Sequence, residues 1–148
     1  MGSLNLTLAD VESLTPEQQD AILEALVVAV VADASVGHPE VARFNAEVGA
    51  VPWGRSMDEV ARMAQAAKAR IFGLRSDAER LSMLKSISKK LQDSQVREKV
   101  LAMMARVSVA DGAMNETETN VLIAFGAAFG ISRERTGEIL RALAPPPN

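Results

Sequence analysis

Residues 21–32 read AILEALVVAVVA, an apolar run broken only by Glu24. A helix of this composition has no polar face, so other elements must cover it on every side. The run falls short of the roughly 18 residues that mark a membrane span, and it carries a carboxylate. It therefore reads as the central helix of a buried core, and the rest of the chain has to supply the cover.

The remaining segments can do so as helices. Several begin with a side chain that bonds free backbone N–H groups, followed three residues later by an acid or amide that bonds back. Thr15 to Gln18, Ser56 to Glu59, Ser76 to Glu79 and Asn115 to Glu118 all follow this pattern. With the hydrophobic periodicity they predict seven helices, at 15–33, 38–49, 56–72, 76–92, 95–110, 115–130 and 132–143, and no strand. At 148 residues, 48% of them hydrophobic and 24% charged, the chain has the size and balance of one globular domain. The expected organisation is an N-terminal extension over 1–14, an all-α bundle over 15–143 and a Pro-rich end over 144–148. Residues 48–56, VGAVPWGRS, read as the longest linker within that domain. In the helix after Ser76, Leu81, Leu84, Ile87 and Leu91 form one stripe, which predicts a surface helix with one buried face. The small residues of FGAAFG, 125–130, read as close packing against a neighbour rather than a phosphate loop.

Sliding the chain on itself by 78 residues lays VADASVGHPEVARF, 31–44, over VADGAMNETETNVL, 109–122. Val-Ala-Asp matches identically, Glu40 falls on Glu118 and Phe44 on Leu122, so one helix–corner–helix unit is written twice. Asp33 and Asp111 each close a helix, where the negative end of the backbone dipole disfavours a carboxylate by about 0.3–1 kcal/mol. Two readings are open. Each Asp shapes its turn by accepting a hydrogen bond from a nearby backbone N–H. Alternatively Asp33 with Glu40, and Asp111 with Glu118, hold a hard cation such as calcium or magnesium.

The pattern ADG followed by Met114 and Glu118, then AFGAAFGIS and a last amphipathic helix, resembles the tellurite-resistance TerB-like family. That domain also occurs in membrane-linked DnaJ-type co-chaperones. The resemblance is best over 100–143, fainter over 21–49 and hardly visible over 53–92. It implies an all-helical fold of two related halves, a non-catalytic role in bacterial stress or envelope-linked complexes, and acidic corners that bind divalent metal. Ala34 replaces the glycine of the first corner, and His38-Pro39 stands where a further acid would be.

Other chemistry fits poorly. Counted from Asp111, the third, sixth and twelfth positions are Ala113, Glu116 and Leu122, which is not a calcium EF-hand. With no cysteine and His38 as the one histidine, a classical zinc site is not expected, and a serine–histidine–acid triad could use only His38, which reads as a surface residue in a corner before proline and is given no role. A net charge of −3, aromatics at 3% and no tyrosine leave no stacking platform for nucleic acid. Charge is uneven, however. Residues 68–99 hold nine Lys and Arg against four acids, so that stretch is net +5 and the remainder −8. Arg80, Lys85, Lys89 and Lys90 lie there, either as a solvated helix face or as a basic face for an acidic partner. The opening MGSLNLTLADVESL has neither a secretory signal nor a myristoylation pattern. The expectation is a cytoplasmic, non-catalytic TerB-like module that binds a partner protein, with membrane association only through that partner. A cation-binding sensor or sequestering protein is the alternative.

Overall fold

The computed structural model describes residues 5–31, 38–109 and 116–143, with the side chains of residues 38–40, 117 and 143 outside that description. Among the described residues there are eight α-helices and no strand: α1 (Leu8–Glu12), α2 (Pro16–Val31), α3 (His38–Ala50), α4 (Met57–Phe72), α5 (Asp77–Lys90), α6 (Ser94–Ser108), α7 (Glu116–Ala128) and α8 (Arg133–Leu143). The reciprocal capping pair is present at Thr15, and its first half, the serine accepting a backbone N–H, at Ser56 and Ser76. Thr15 N–H donates to Gln18 Oε1 at 2.8 Å while Gln18 N–H donates to Thr15 Oγ1 at 3.2 Å. Ser56 and Ser76 accept from the backbone N–H of Glu59 and Glu79. Helix α1 is the element missing from the sequence reading. Its capping box closes with Asp10 on Thr7, and Asp is a shorter acid than the Glu or Gln the usual pattern asks for.

Helix α2 is covered as its composition demands, by α3, α4, α5, α6 and α7. Ile22, Leu23, Ala25 and Leu26 are fully buried. A second helix shares the centre: Val100, Leu101, Ala102, Met104 and Ala105 of α6 are also fully buried. The repeat is visible in the architecture, because adding 78 to the bounds of α2 and α3 gives those of α6 and α7 to within one residue. Core positions coincide under the same offset. Ile22 falls on Val100, Leu23 on Leu101, Leu26 on Met104 and Phe44 on Leu122, all of them buried.

Polar side chains of the two central helices fasten the outer ones. Glu24, 3% exposed, accepts from Arg70 Nε of α4 at 2.9 Å, which supplies the partner a buried carboxylate needs. From α6, Arg106 Nε donates to Glu47 of α3 at 2.5 Å, Glu98 accepts from Arg135 of α8, and Lys99 Nζ donates to Asp10 of α1 at 2.6 Å. Arg97 donates Nη1 to Phe129 O and Nη2 to Ser88 O, both at 2.6 Å, and Nε to Leu91 O. One guanidinium thus closes the carbonyl ends of both α5 and α7, where a cation complements the helix dipole. The α7 terminus carries Gly130 at φ 73°, with Ile131 N–H returning to Gly126 O at 2.9 Å.

The segment 51–56 is packed rather than free. Val51 and Trp53 are buried, and Trp53 Nε1 donates to Val48 O at 2.8 Å. In FGAAFG the close packing is at Gly126, where an added Cβ would lie 2.4 Å from Thr136 Oγ1 of α8.

Replacing Arg97 with Ala should cost about 2–4 kcal/mol in urea unfolding, because charge-assisted bonds are lost and three helix-terminal carbonyls are left to water. Arg97→Lys should recover less than half, since an ammonium lacks the planar fork that reaches all three. Full recovery by Lys would show that charge alone matters. A second expectation concerns acid. Burial pushes the Asp10 carboxyl up, but hydrogen bonds from Lys99 and Thr7, with the Lys99 charge, outweigh that and hold it below the ordinary carboxylate value. A lowered value means stability that is present at neutral pH and lost as pH falls below about 4. Asp10→Asn should therefore be about 1–2 kcal/mol less stable than wild type at pH 7, and the gap should narrow toward pH 2. A gap independent of pH would contradict it.

Candidate functional site

The cover over α2 opens into an apolar groove near its C-terminal end. Where α4 ends and α5 begins, the two helices part over the C-terminal half of α2 and leave an apolar groove of about 580 Å³. Val28 and Val31 form its floor, Val121 and Phe125 of α7 one wall, and Phe72, Leu81 and Leu84 the other. Phe72 and Leu81 are 61% and 51% exposed, two of the four large apolar side chains left in water among the described residues, with Leu8 and Met57. Leu81 is a correction to the predicted stripe. Ile87 and Leu91 are buried and Leu84 half-buried, but residues 77–82, the first turn and a half of α5, are exposed, Leu81 among them.

Phe72 also borders a second apolar hollow of about 170 Å³, between it, Phe44 and Val41. There Lys68 Nζ stands over the Phe44 ring, 5.2 Å from its centroid, as a cation on an aromatic face. A third cleft, about 560 Å³, runs on the other side of α5 and is lined by Glu17, Asp20, Glu24, Arg70, Glu79 and Lys90. The buried carboxylate there already holds Arg70.

The structure sorts the basic residues of 68–99 into two sets. Arg70, Arg97 and Lys99 are used inside the bundle, as just described. Lys85 and Lys89 are exposed, Lys90 is half-exposed with its carbonyl accepting from Gln18, and Arg80 is exposed with Asp77 Oδ1 2.9 Å away. Such a surface pair contributes little to stability. Arg80 lines the groove, and Lys85 lies one helical turn beyond Leu81. The four partner-binding candidates are thus set apart from Arg70, Arg97 and Lys99, whose side chains are taken up by other helices.

Asp33 and Asp111 lie outside the described residues, as does the side chain of Glu40. Glu118, in the first turn of α7, is 1% exposed. A cation site at the corners thus has one described carboxylate, and it is buried. Among the described residues no three His, Asp or Glu side chains are grouped to hold a metal. His38 opens α3, and its side chain too is outside the description. Phe72 and the groove were not singled out in the sequence. The available signal was Phe72 itself, an aromatic in the last turn of a helix just before a Gly-containing turn.

These features define a class: an all-helical bundle of two related helix–corner–helix units around two buried helices, with an apolar groove on one side. Among the described residues no helix is long and apolar enough to cross a membrane. The family model described as Tellurite resistance protein TerB matches residues 19–140, and the chain belongs to that family. No curated protein and no solved structure matches it.

If Phe72 and Leu81 serve a surface role, their replacement should be nearly free in stability. Phe72→Ser and Leu81→Ser should each change unfolding free energy by less than about 1 kcal/mol, whereas Leu23→Ala in the core should cost about 2–5 kcal/mol. Urea unfolding compares them, and a core-sized loss at position 81 would make the groove wall structural.

Proposed function

We propose that this TerB-family chain is a non-catalytic helical module that binds a partner protein through the groove between α4, α5 and α7, as part of a stress-response or regulatory complex. The observation that carries the reading is the pair Phe72 and Leu81, half-exposed large apolar side chains at the rim of an apolar groove. Burying such side chains is worth about 1.5–3 kcal/mol each, and a contiguous apolar patch on a globular surface is most simply a docking face. The polar side chains at the centre support a non-catalytic role: Glu24, Glu98, Lys99 and Arg97 are engaged in ion pairs and helix closure. A protein is favoured over nucleic acid because the groove is walled by aliphatic and Phe side chains and the net charge is −3.

The test is crosslinking in native lysate from a photoreactive residue at position 81, with the same residue at the exposed position 133 of α8 as control. One discrete protein should be captured from position 81 and not from 133, and capture should be lost in the Phe72→Ser variant. No position-81 adduct, or adducts indifferent to Phe72→Ser, would refute groove-mediated binding.

A further inference from the structure

We infer that the groove takes an amphipathic helix whose apolar face is bordered by Asp and Glu, an inference that rests on the partner-binding reading above. The shape argument comes from the walls. All four elements around the groove, α2, α4, α5 and α7, are helices, and the described residues offer no strand edge to which an extended peptide could add. A segment lying on such walls has to satisfy its own backbone hydrogen bonds, which a helix does internally. Side chains at i, i+3, i+4 and i+7 of that helix enter the groove against Val28, Phe72, Leu81 and Phe125.

Charge names the border. Lys68 lies one turn before Phe72 on α4, and Lys85 one turn after Leu81 on α5, so each exposed apolar anchor has a lysine on its own helix row. Arg80 lines the groove itself. The acids of the same stretch are already engaged. Asp77 and Arg80 neutralise each other, Glu79 closes the α5 cap, Asp93 caps α6 and Glu98 holds Arg135, which leaves Lys85 beside Leu81, and Lys68 in the hollow adjoining Phe72, as the cations next to the anchors. The rim therefore presents cations beside an apolar floor, in a chain whose overall charge is −3. Carboxylates flanking the incoming apolar stripe are attracted by it, while lysines there are repelled.

The probes are fluorescein-labelled peptides of about 18 residues, five helical turns, with Leu, Ile or Phe at the anchor positions and Glu beside them. Each has a twin with Lys for every Glu. Anisotropy should show saturable binding of at least one Glu peptide, with a gain of peptide helicity by circular dichroism. Leu81→Ser should weaken it about tenfold, and Lys68→Glu/Lys85→Glu should weaken it about tenfold while favouring the Lys twin. Circular dichroism of each variant checks that it is folded. Equal binding of the twins, no saturable Glu peptide, or indifference to Leu81→Ser would overturn the inference. So would a concentration-dependent dimer of the wild type that Leu81→Ser dissolves, which would give the groove to a second copy. Peptide failure alongside groove-dependent crosslinking would sink only the acidic-helix chemistry, whereas failure of both would sink partner binding as well.

Discussion

A helix with no outward face leaves its neighbours no choice but to surround it, and α6 turns that constraint into an attachment scheme. Its side chains leave the axis about 100° apart, so the consecutive residues Arg97, Glu98 and Lys99 point toward three different neighbours. Arg97 takes the carbonyl ends of α5 and α7, Glu98 the guanidinium of Arg135 on α8, and Lys99 the carboxylate of Asp10 on α1. Two turns on, Arg106 reaches Glu47 on α3. Apolar burial draws these helices in without fixing their azimuth. Directional bonds from one axis fix where each of them lies, and that placement is what the groove depends on.

Helix α2 obeys the same constraint with less polar help. Glu24 is its one ionised side chain at the centre, and Arg70 meets it from α4. That bond anchors α4 close to its C-terminal end, half a turn before Phe72. The last residues of α4 then run past the edge of α2, and the chain turns at Gly73 into α5. Phe72 and Leu81 are left on either side of that turn with Val28 and Val31 below them. The groove is a consequence of where α4 is held, and a bundle so held keeps two large apolar side chains in water without any loss of core packing.

Much of this was legible in the sequence, because burial and capping are local in their signatures. The apolar run 21–32 announced a surrounded helix, and the serine and threonine caps marked helix starts that the structure reproduces at Thr15, Ser56 and Ser76. Less legible was whatever depends on which neighbour lies where. The sequence leaves the cations of 68–99 open between a solvated helix face and a basic docking face, and it does not announce the bonds that Arg70, Arg97 and Lys99 make with partners 46, 32 and 89 residues away in the chain. Leu81 fits the same stripe as Ile87, yet it is exposed and Ile87 is buried. The helix α1 was hidden by a shorter acid in its capping box.

The repeat separates the elements that build the centre from those that border the groove. The 78-residue offset superimposes α2 and α3 on α6 and α7, and it would lay α8 over the first part of α4. The end of α4, which carries Lys68 and Phe72, and α5, which brings Leu81 and Lys85, lie outside the stretches 16–50 and 94–128 that the offset pairs. Duplicated elements build the paired central helices, and their side chains answer to the core. Phe72 and Leu81 lie between those paired stretches, where the packing of one central helix against the other places no demand on them, and there the large apolar side chains stay in water.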